Sequence, residues 1–495
     1  MTDLLSHREV MVALAGIILA IMLSALDQTA LTPALTAIST DLRALDQLSW
    51  IIVVYLLTST AVTPIYGKLS DVYGRGRMMS VAIVLFLVAS SLCAVAQNLP
   101  QLIVARGLQG VGGGGLIVVA QAMIADFISP RERGRYQAYI ASMWAFAGIA
   151  GPPLGGLVAD HLSWRWIFWV NIPVGIVAFA LCRRASANLV VPARKTLELD
   201  YAGAVLLMTG VTALLMWSSQ VRSAPWSSLP QTLTLVAGFV LLAAFAVQEH
   251  RAAEPILPPR LYANRVILFT NLIGFLVATV NFAGLVLLPV FFQIVMNMGA
   301  AESGLMVIPM LFGIPIASFT SGQIMGRTGR YKGIIPSALA LVTIAFGLFS
   351  TMTVETPLTA ILGYIGLLGL GLGACFPVLM ISTQNAAGAG DVGTATSSIT
   401  FSRSLGASFG TALFWAVVLA PLSAASVSRA QAFFQFGRAG LARLAAPDQT
   451  ALLSSLAQGF HDVFVIGAGV ALATFTLSLF LHEEPLKTSP VTRTA

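Results

Sequence analysis

The sequence predicts an all-α polytopic membrane protein, and three observations lead to that fold class. The 495 residues are 57% hydrophobic and 9% charged, about a third of the charged fraction usual for a soluble domain. The apolar residues fall into runs of roughly 18 to 25, the length that a helix needs to cross about 30 Å of hydrocarbon. Short polar breaks separate these runs. We therefore treat the lipid bilayer as the solvent of this chain.

Hydropathy predicts fourteen spans, with a pair of helices inserted between two groups of six. The first run is too long for a signal-peptide core and no small-residue cleavage pattern follows it, so it is predicted to be retained. The predicted spans are 10–33, 48–66, 78–97, 101–125, 137–159, 166–184, 199–218, 231–248, 266–292, 303–325, 333–352, 357–381, 398–421 and 462–482.

These spans predict an N-terminal six-helix bundle over 1–190 and a linker with two inserted helices over 191–260. A C-terminal six-helix bundle is predicted over 261–495, with a long outer loop at 421–461. Within that loop the amphipathic stretch 431–444 is expected to lie on the membrane surface. A role for it as a cap over an outer cleft is the alternative.

Lysine and arginine predict the orientation, because short loops rich in them stay in the cytoplasm. Nineteen of the 27 fall on one side of the predicted membrane and six on the other, which places both termini in the cytoplasm. The net charge of +7 is spread over these short loops and forms no single basic face, so nucleic acid is not expected as a partner. The cysteines lie far apart in apolar runs, without disulfide or metal spacing. They are Cys93, Cys182 and Cys375.

An internal repeat predicts that the two six-helix bundles are copies of one unit. Residues 67–77 read GKLSDVYGRGR after the second span, and residues 322–332 read GQIMGRTGRYK after the tenth. Without the inserted pair, both segments follow the second helix of a bundle, which is the parallel duplication of a rocker-type transporter. The acid Asp71 is replaced by Gly326 in the second copy. The sequence therefore predicts two bundles that move about a central cleft.

Two ionisable residues inside predicted spans are the candidates for proton coupling. Asp27 lies within the first span, where a carboxylate costs about 2.5–3.5 kcal/mol, and such residues usually face a cavity and mark ion paths. Arg106 lies within the fourth span at a comparable depth and needs a counter-charge. Burial favours the neutral acid whereas a nearby cation favours the carboxylate. We expect Asp27 to carry the proton, with a structural acid, a static ion pair or a snorkelling arginine as alternatives.

Small residues in the fourth and fifth spans predict close helix contacts. Gly110 and Gly114 extend a smooth face beyond Arg106. The fifth span adds two stripes of small residues and two prolines, which predict a bent helix at a functional interface. Those residues are Ala147, Gly151, Gly155 and Ala159, then Gly148, Pro152 and Gly156, and finally Pro153.

Acidic and basic side chains at the cytoplasmic ends of the second and fourth spans predict an inner gate. Asp71 can accept hydrogen bonds from a cation or from a helix N-terminus. Ion pairs of this kind can close a gate and break on proton uptake, although most of the arginines are equally explained as solvated topology signals. The predicted gate residues are Gly67, Lys68, Asp71, Gly74, Arg75, Arg77 and Asp126.

No motif in the chain indicates an enzyme or a nucleotide site. There is no GxxxxGK[ST] segment and no His/Glu zinc motif, so we expect a proton gradient as the energy source, with no cofactor or metal. A pocket for a small hydrophobic compound needs only a few polar groups. The polar candidates are Gln28, Asn271, Asn281, Gln293, Gln384 and Asn385.

Several segments resemble motifs of the major facilitator superfamily. Residues 67–77 resemble its loop after the second helix, 106–114 resemble its fourth-helix motif implicated in proton coupling, and 148–156 resemble its antiporter motif. The segments typical of its fourteen-span drug:proton antiporter branch are 26–31, 164–175 (WRWIFWVNIPVG) and 401–412 (FSRSLGASFGTA). The resemblance implies the major facilitator fold and alternating access around a hydrophobic drug pocket, in a multidrug efflux protein of the cell (inner) membrane that confers antibiotic resistance.

The function expected from these features is proton-coupled export of hydrophobic compounds, including cationic ones. A proton-coupled importer of a small metabolite and a transport-inactive receptor on the same fold are the alternatives. An importer would line its pocket with more charge, and a receptor would carry a soluble signalling domain. The sequence names no protein partner.

Overall fold

The computed structural model describes residues 7–42, 48–186, 200–220, 228–388, 390–422 and 446–488, and all regular structure in these ranges is helical. The first group of helices is α1 (His7–Asp41), α2 (Ser49–Tyr73), α3 (Arg75–Ala94), α4 (Leu99–Phe127), α5 (Arg133–His161), α6 (Trp166–Trp169) and α7 (Asn171–Ser186). A central group follows, consisting of α8 (Tyr201–Gln220), α9 (Leu229–Arg251) and α10 (Pro259–Ala263).

The last group begins with α11 (Arg265–Phe282), which continues through a π-helical turn (Ala283–Leu287) into α12 (Leu288–Ile294). The remaining helices are α13 (Ala300–Leu305), α14 (Ile308–Thr328), α15 (Ile334–Phe349), α16 (Leu358–Ala386), α17 (Val392–Leu419) and α18 (Ala446–Leu479).

Twelve helices in the described ranges are long and apolar enough to cross a membrane. The predicted eleventh and thirteenth spans correspond to α15, which has 16 residues, and α17, which has 28. The first half of α17 is rich in Ser and Thr, and the residues of its first two turns are buried, namely Thr394, Thr396, Ser397 and Ser398. The helix order therefore agrees with the fourteen predicted spans.

The two largest differences between the predicted span boundaries and the described helices are at the start of α18 and at the end of α1. Helix α18 begins at Ala446, so the second part of the predicted 421–461 loop is helical. Its early turns bury Leu456 and Phe460 in the core of the C-terminal half, where Phe460 meets the Phe291 ring at 5.8 Å. Helix α1 continues past Pro33 to Asp41. The amphipathic stretch 431–444 lies outside the described residues.

The same packing pattern occurs twice. In the first group, α2 and α3 pack on α4, while α1 packs on α5 and α7. In the last group, α14 and α15 pack on α16, while α11 packs on α17 and α18. Each long helix of one group thus has a counterpart with the same packing in the other. We refer to α1–α7 as the N-terminal half and to α11–α18 as the C-terminal half.

Glycine provides the close contact at the centre of each half. A Cβ atom on Gly114 of α4 would lie 3.0 Å from the Cα atom of Ser59 in α2, and one on Gly110 would meet the α2 backbone equally closely, as the sequence predicted. In the C-terminal half, a Cβ atom on Gly369 of α16 would lie 2.7 Å from the Cα atom of Met310 in α14. The two helix pairs therefore pack backbone to backbone.

The inserted helix α8 packs against one helix from each half, α2 and α17. Leu207, Val211 and Leu215 of α8 are buried in a cluster with Leu57 of α2 and Phe401 of α17. Helix α9 packs on α8. The insert thus lies at the boundary between the halves.

We predict that Gly114→Val destabilises the protein, because the new side chain would overlap the α2 backbone. Overpacking of this kind costs about 1–3 kcal/mol or more. The midpoint of thermal unfolding in detergent would fall clearly below that of the wild type. The matched control is Gly363→Val, because a Cβ atom on Gly363 of α16 would have no neighbour within 4 Å. Equal midpoints for the two variants would contradict the proposed backbone contact.

Candidate functional site

A buried ion pair joins α1 to α4 inside the N-terminal half. The Arg106 Nη1 atom donates to the Asp27 Oδ2 atom at 2.5 Å, and the side chains are 1% and 0% exposed. The sequence placed the two residues at a comparable depth, and the structure puts them in direct contact. We call this interaction the buried pair.

Two amide side chains complete the environment of the Asp27 carboxylate. Gln109 Nε2 donates to Asp27 Oδ1 at 2.9 Å, and Asn171 Nδ2 donates to the same oxygen at 3.0 Å. The Asn171 amide also donates to Ser90 Oγ at 3.0 Å, which ties α7 to α3. Because all these donors stabilise an anion, the site as it stands suits ionised Asp27.

Arg106 has acceptors other than Asp27. Its Nη1 atom donates to Gln109 Oε1 at 2.7 Å, and its Nε atom donates to the carbonyl oxygen of Ile51 in α2 at 3.2 Å. The guanidinium carbon also lies 4.4 Å from the centroid of the Tyr55 ring, which attracts a cation. The cation thus keeps several partners if the Asp27 carboxylate is neutralised.

The surroundings of Asp27 differ from the sequence expectation in one respect. Asp27 was expected to face a cavity, but in this conformation other helices enclose it. Sequence reasoning also missed Gln109 and Asn171 as partners. Both lie in segments typical of the family, Gln109 within 106–114 and Asn171 within 164–175. A polar residue in such a segment was the available signal.

Helix α5 contacts α1 beside the buried pair on one face and the other half on a second face. Gly155 packs on Ala30, whose Cα atom would lie 2.9 Å from an added Cβ atom, and Gly151 packs on the same turn of α1. A Cβ atom on Gly148 would lie 3.7 Å from Leu311 of α14. The other residues of the predicted antiporter stripe are the exposed Pro152 and Pro153, and Gly156, which faces α1.

Asp71, at the last turn of α2, binds the first turn of α17 in the other half. Its Oδ1 atom accepts from the Gly393 N–H at 2.8 Å, and its Oδ2 atom accepts from the Thr394 N–H at 2.7 Å and the Thr394 hydroxyl at 2.9 Å. A helix N-terminus presents unpaired N–H groups and a partial positive charge, so it is a good site for a carboxylate. The Asp71 side chain is 2% exposed.

Arg75 and Asp126 support Asp71 from within the N-terminal half. The Arg75 Nη2 atom lies 3.2 Å from Asp71 Oδ1, and its Nη1 atom donates to Asp126 and, at 2.7 Å, to the Ala122 carbonyl oxygen. The structure therefore brings together three of the predicted gate residues. Asp126 belongs to α4, so this cluster links the ends of α2 and α4.

The other predicted gate residues surround this cluster. Lys68 pairs with Glu254, in the segment after α9, at 2.7 Å, so that the insert is also tied to this end. A Cβ atom on Gly67 would lie 2.8 Å from the Gly393 carbonyl oxygen, so α2 and α17 nearly touch there. Gly74 has φ of 89° between α2 and α3, which favours glycine. Arg77 is exposed.

The second contact between the halves joins the start of α5 to the end of α14. Arg131 Nε donates to the Gly326 carbonyl oxygen at 2.7 Å, and its Nη2 atom donates to that of Arg327 at 3.1 Å. Gly134 and Gly322 pack backbone against backbone beside it. Where the second copy of the repeat lacks the acid, an arginine from the first half thus binds the last carbonyls of α14.

These contacts lie at the end of the molecule that carries the basic loops, and we call it the basic end. The name "latch" denotes the contacts of Asp71 with Gly393 and Thr394 together with those of Arg131 with Gly326 and Arg327. The latch holds the two halves together at the basic end.

The six polar pocket candidates lie in different places. Gln384 joins the halves at the basic end, because it accepts from Arg133 at 3.2 Å and donates to the Gln121 carbonyl oxygen at 3.3 Å. Asn385 binds the C-terminal segment through Pro485 and Lys487. The structure does not gather the candidates into one site. The other four are Gln28, bonded to Ser24, Asn271, bonded to Ser402, Gln293, bonded to Ser303, and the half-buried Asn281.

Comparison with known proteins gives consistent results. The model of the Major Facilitator Superfamily matches residues 17–411. An uncharacterised MFS-type transporter of Mycobacterium tuberculosis is 35% identical over 95% of this chain and 69% of its own. Multidrug transporter protein MdtP of Bacillus subtilis is 34% identical over 82% of this chain and 74% of its own. Multidrug resistance protein 3 of the same organism is 30% identical over 81% and 78%.

The fold comparison agrees with the family match. The crystal structure of the human organic anion transporter MFSD10 superposes with a TM-score of 0.63 at 16% identity and covers 94% of this chain and 99% of its own. At this identity the likeness concerns the fold alone. Because the family model matches most of this chain, the chain belongs to the major facilitator superfamily and is a multi-pass membrane transporter.

Proposed function

We propose that this transporter is a proton-coupled antiporter that exports small hydrophobic compounds across the cell (inner) membrane by alternating access. The observation that carries the proposal is the buried pair, because an acid paired inside a bundle is a place where one proton changes the charge balance of the interior. The names of two relatives, a multidrug transporter and a multidrug resistance protein, support export. Both termini are proposed to lie in the cytoplasm.

The conformation described here corresponds to a state closed on the cytoplasmic side. The latch joins α2 to α17 and α5 to α14 at the basic end. Loops rich in Lys and Arg stay in the cytoplasm, so the basic end is the inner end. Proton uptake from outside is the next step of the cycle from this state.

Protonation of Asp27 removes the charge that holds Arg106 to α1. The neutral acid accepts more weakly from Arg106, while the cation keeps its contacts with Gln109 and the Ile51 carbonyl. Removing one partner of a fully buried pair costs about 3–5 kcal/mol. The retained acceptors offset part of that cost and make the protonated form accessible.

Helices α2 and α4 connect the buried pair to the latch. Two residues of α2 contact Arg106, namely Ile51 and Tyr55. Both lie near the outer end of α2, whereas Asp71 lies near its inner end. Arg106 and Asp126 stand in the same relation on α4. Each separation is about 30 Å at about 1.5 Å per residue. A tilt of this helix pair, which packs backbone to backbone, would move both sites together.

The rest of the cycle follows from this connection. When Asp27 is protonated, α2 and α4 shift, the latch breaks and the inner side opens. The proton leaves to the cytoplasm, the compound enters, and the restored buried pair closes the latch. The compound then leaves on the outer side, where the next proton enters. The driving force is the proton gradient, to which the membrane potential adds about 2.3 kcal/mol per charge per 100 mV. The cycle uses no cofactor, and its partners are the compound, protons and the lipid bilayer.

We predict that Asp27→Asn abolishes energised efflux. An amide fills the same space but cannot carry a proton or a negative charge, so the cycle loses its coupling group. Efflux of a fluorescent hydrophobic compound such as ethidium from cells expressing the chain would be sensitive to an uncoupler, and it would fall at least about tenfold in the variant, equal to about 1.4 kcal/mol.

The control is Asp41→Asn, which removes an acid from the same helix. Asp41 pairs with Arg165 at 2.6 Å, but the two side chains are 47% and 32% exposed, and such surface pairs contribute little. We expect efflux of Asp41→Asn to stay near the wild-type rate. Uncoupler-sensitive efflux that survives in Asp27→Asn would remove its proposed role.

We also predict that Asp71→Asn opens the inner side. The amide offers one acceptor to the amides of α17 in place of a carboxylate, and hydrogen bonds to a charged group contribute about 1.5–3 kcal/mol. A cysteine placed at Ser397, which is fully buried against Gly67, reports the opening. Its labelling by an impermeant maleimide in inside-out vesicles would rise at least about tenfold, equal to about 1.4 kcal/mol.

Asp41→Asn combined with the Ser397 cysteine is again the control, because Asp41 lies at the opposite end of the bundle. Its labelling rate would match that of the parent. An unchanged rate in Asp71→Asn would mean that the latch does not hold the inner side closed.

A further inference from the structure

Helices α11 to α17 of the C-terminal half carry one charged residue that lies away from their ends. That residue is Arg403, on α17. The other charged residues of this stretch lie at or beyond helix ends, and those in the described ranges are Arg265, Glu302, Arg327, Arg330, Lys332, Glu355 and Asp391. Arg403 lies roughly 16 Å from the first residue of α17, at about 1.5 Å per residue. It is therefore placed near the middle of the membrane.

The Arg403 side chain is half-buried between α11 and α16. Its guanidinium carbon lies 4.0 Å from the centroid of the Phe376 ring of α16. On the α11 side the facing residue is Gly274, where an added Cβ atom would lie 3.4 Å from Arg403 Cγ. That distance is an ordinary van der Waals contact, so the arginine stem packs against the surface of α11 at Gly274. The side chain thus lies along a defined path between two helices, with its charged end over an aromatic face.

Within the described residues, Arg403 has no ion pair and no hydrogen bond, and its contact is the ring of Phe376. An arginine near the centre of a membrane helix is costly. A contact with an aromatic ring offsets only part of that cost. Arg106, the buried arginine of the other half, has a carboxylate, an amide and a carbonyl as partners. Arg403 thus has its N–H donors free for an acceptor that the described chain does not supply.

The chemistry of a free guanidinium indicates the missing partner. Its planar fork matches a carboxylate through two parallel N–H···O bonds, and the Phe376 ring beneath it offers an apolar surface. At this depth a lipid headgroup does not reach it. The interior acid Asp27 cannot serve, since Arg106, Gln109 and Asn171 occupy it. Of these two interior residues, the one that the described residues leave without a partner for its charge is therefore the cation Arg403.

We propose that Arg403 binds the acidic group of the transported compound, so that the substrates include amphipathic organic anions with an apolar body. This inference rests on the proposed function and specifies its substrate class. Phe376 packs on the apolar part of the compound. A cationic compound such as ethidium would gain nothing from this position and would be held by apolar contacts elsewhere. The site lies in the C-terminal half, whereas the proposed proton site lies in the N-terminal half, so the two charges do not compete.

The test compares dansyl-labelled undecanoic acid with its methyl ester, which differ by one negative charge. Binding to the purified full-length protein in detergent is followed by dansyl fluorescence, without any need for a gradient. We expect the wild type to bind the acid at least about tenfold more tightly than the ester, equal to about 1.4 kcal/mol. Arg403→Met would bind both equally, and Arg403→Lys would retain part of the preference.

The matched control is Arg265→Met, which removes an exposed cation at the start of α11 and would keep the preference of the wild type. Unfolding midpoints confirm that each variant is folded. A wild type that binds acid and ester equally, or binds neither, overturns the proposal, and so does a preference that persists in Arg403→Met. Uncoupler-sensitive efflux of ethidium alongside such a result would leave proton-driven export standing and remove only the anion site.

Discussion

The low dielectric of the membrane interior makes a lone charge costly. In the N-terminal half, Asp27 and Arg106 compensate each other's charge by direct contact. The network around this pair draws on α1, α2, α3, α4 and α7. It is therefore a structural element, since loss of either charge leaves the other uncompensated. In the proposed cycle it is also the position that takes up the proton. Stability and proton coupling would then depend on the same atoms.

The basic end works by a different principle. There the halves meet through helix ends: the Asp71 carboxylate receives the first N–H groups of α17, and the Arg131 guanidinium receives the last carbonyls of α14. Every one of these groups can bind water instead when the halves separate. Because water replaces these contacts in the open form, the closed and open forms differ little in free energy although the contacts are numerous. Two interchangeable states are what an alternating-access carrier needs.

The sequence was informative wherever the cost of burial leaves few choices. An acid and an arginine within apolar runs had to find each other or water, so their pairing was among the predicted alternatives. Glycines at every fourth position had to meet a helix, so a close helix contact of α4 was predictable, although the sequence did not identify α2 as the partner. The repeat also predicted the division into halves that pack alike. These features follow from local composition together with the thickness of the bilayer.

Other features depend on tertiary packing, and single-sequence reasoning could not reach them. No residue near Asp71 in the sequence indicates that the first turn of α17 is its partner. Gln384 was predicted to line a pocket, but it binds Arg133 across the boundary between the two halves. The start of α18 was missed because its first turns are amphipathic and are held by Phe291 in the folded core. Arg403 lies within a predicted span but could not be interpreted from the sequence, since the absence of an acceptor among the described residues is visible only in three dimensions.

The central claim, that the charge of Asp27 controls the latch, is tested most directly by a distance between the halves at the basic end. Spin labels on cysteines at the exposed positions Arg77 and Lys332, in a chain whose three buried cysteines are replaced, would report that distance in lipid nanodiscs by electron–electron double resonance. The account predicts a shift to longer distances in Asp27→Asn, or in the parent at acidic pH, with no pH effect in the variant. A distance distribution that is unchanged by both treatments would contradict it.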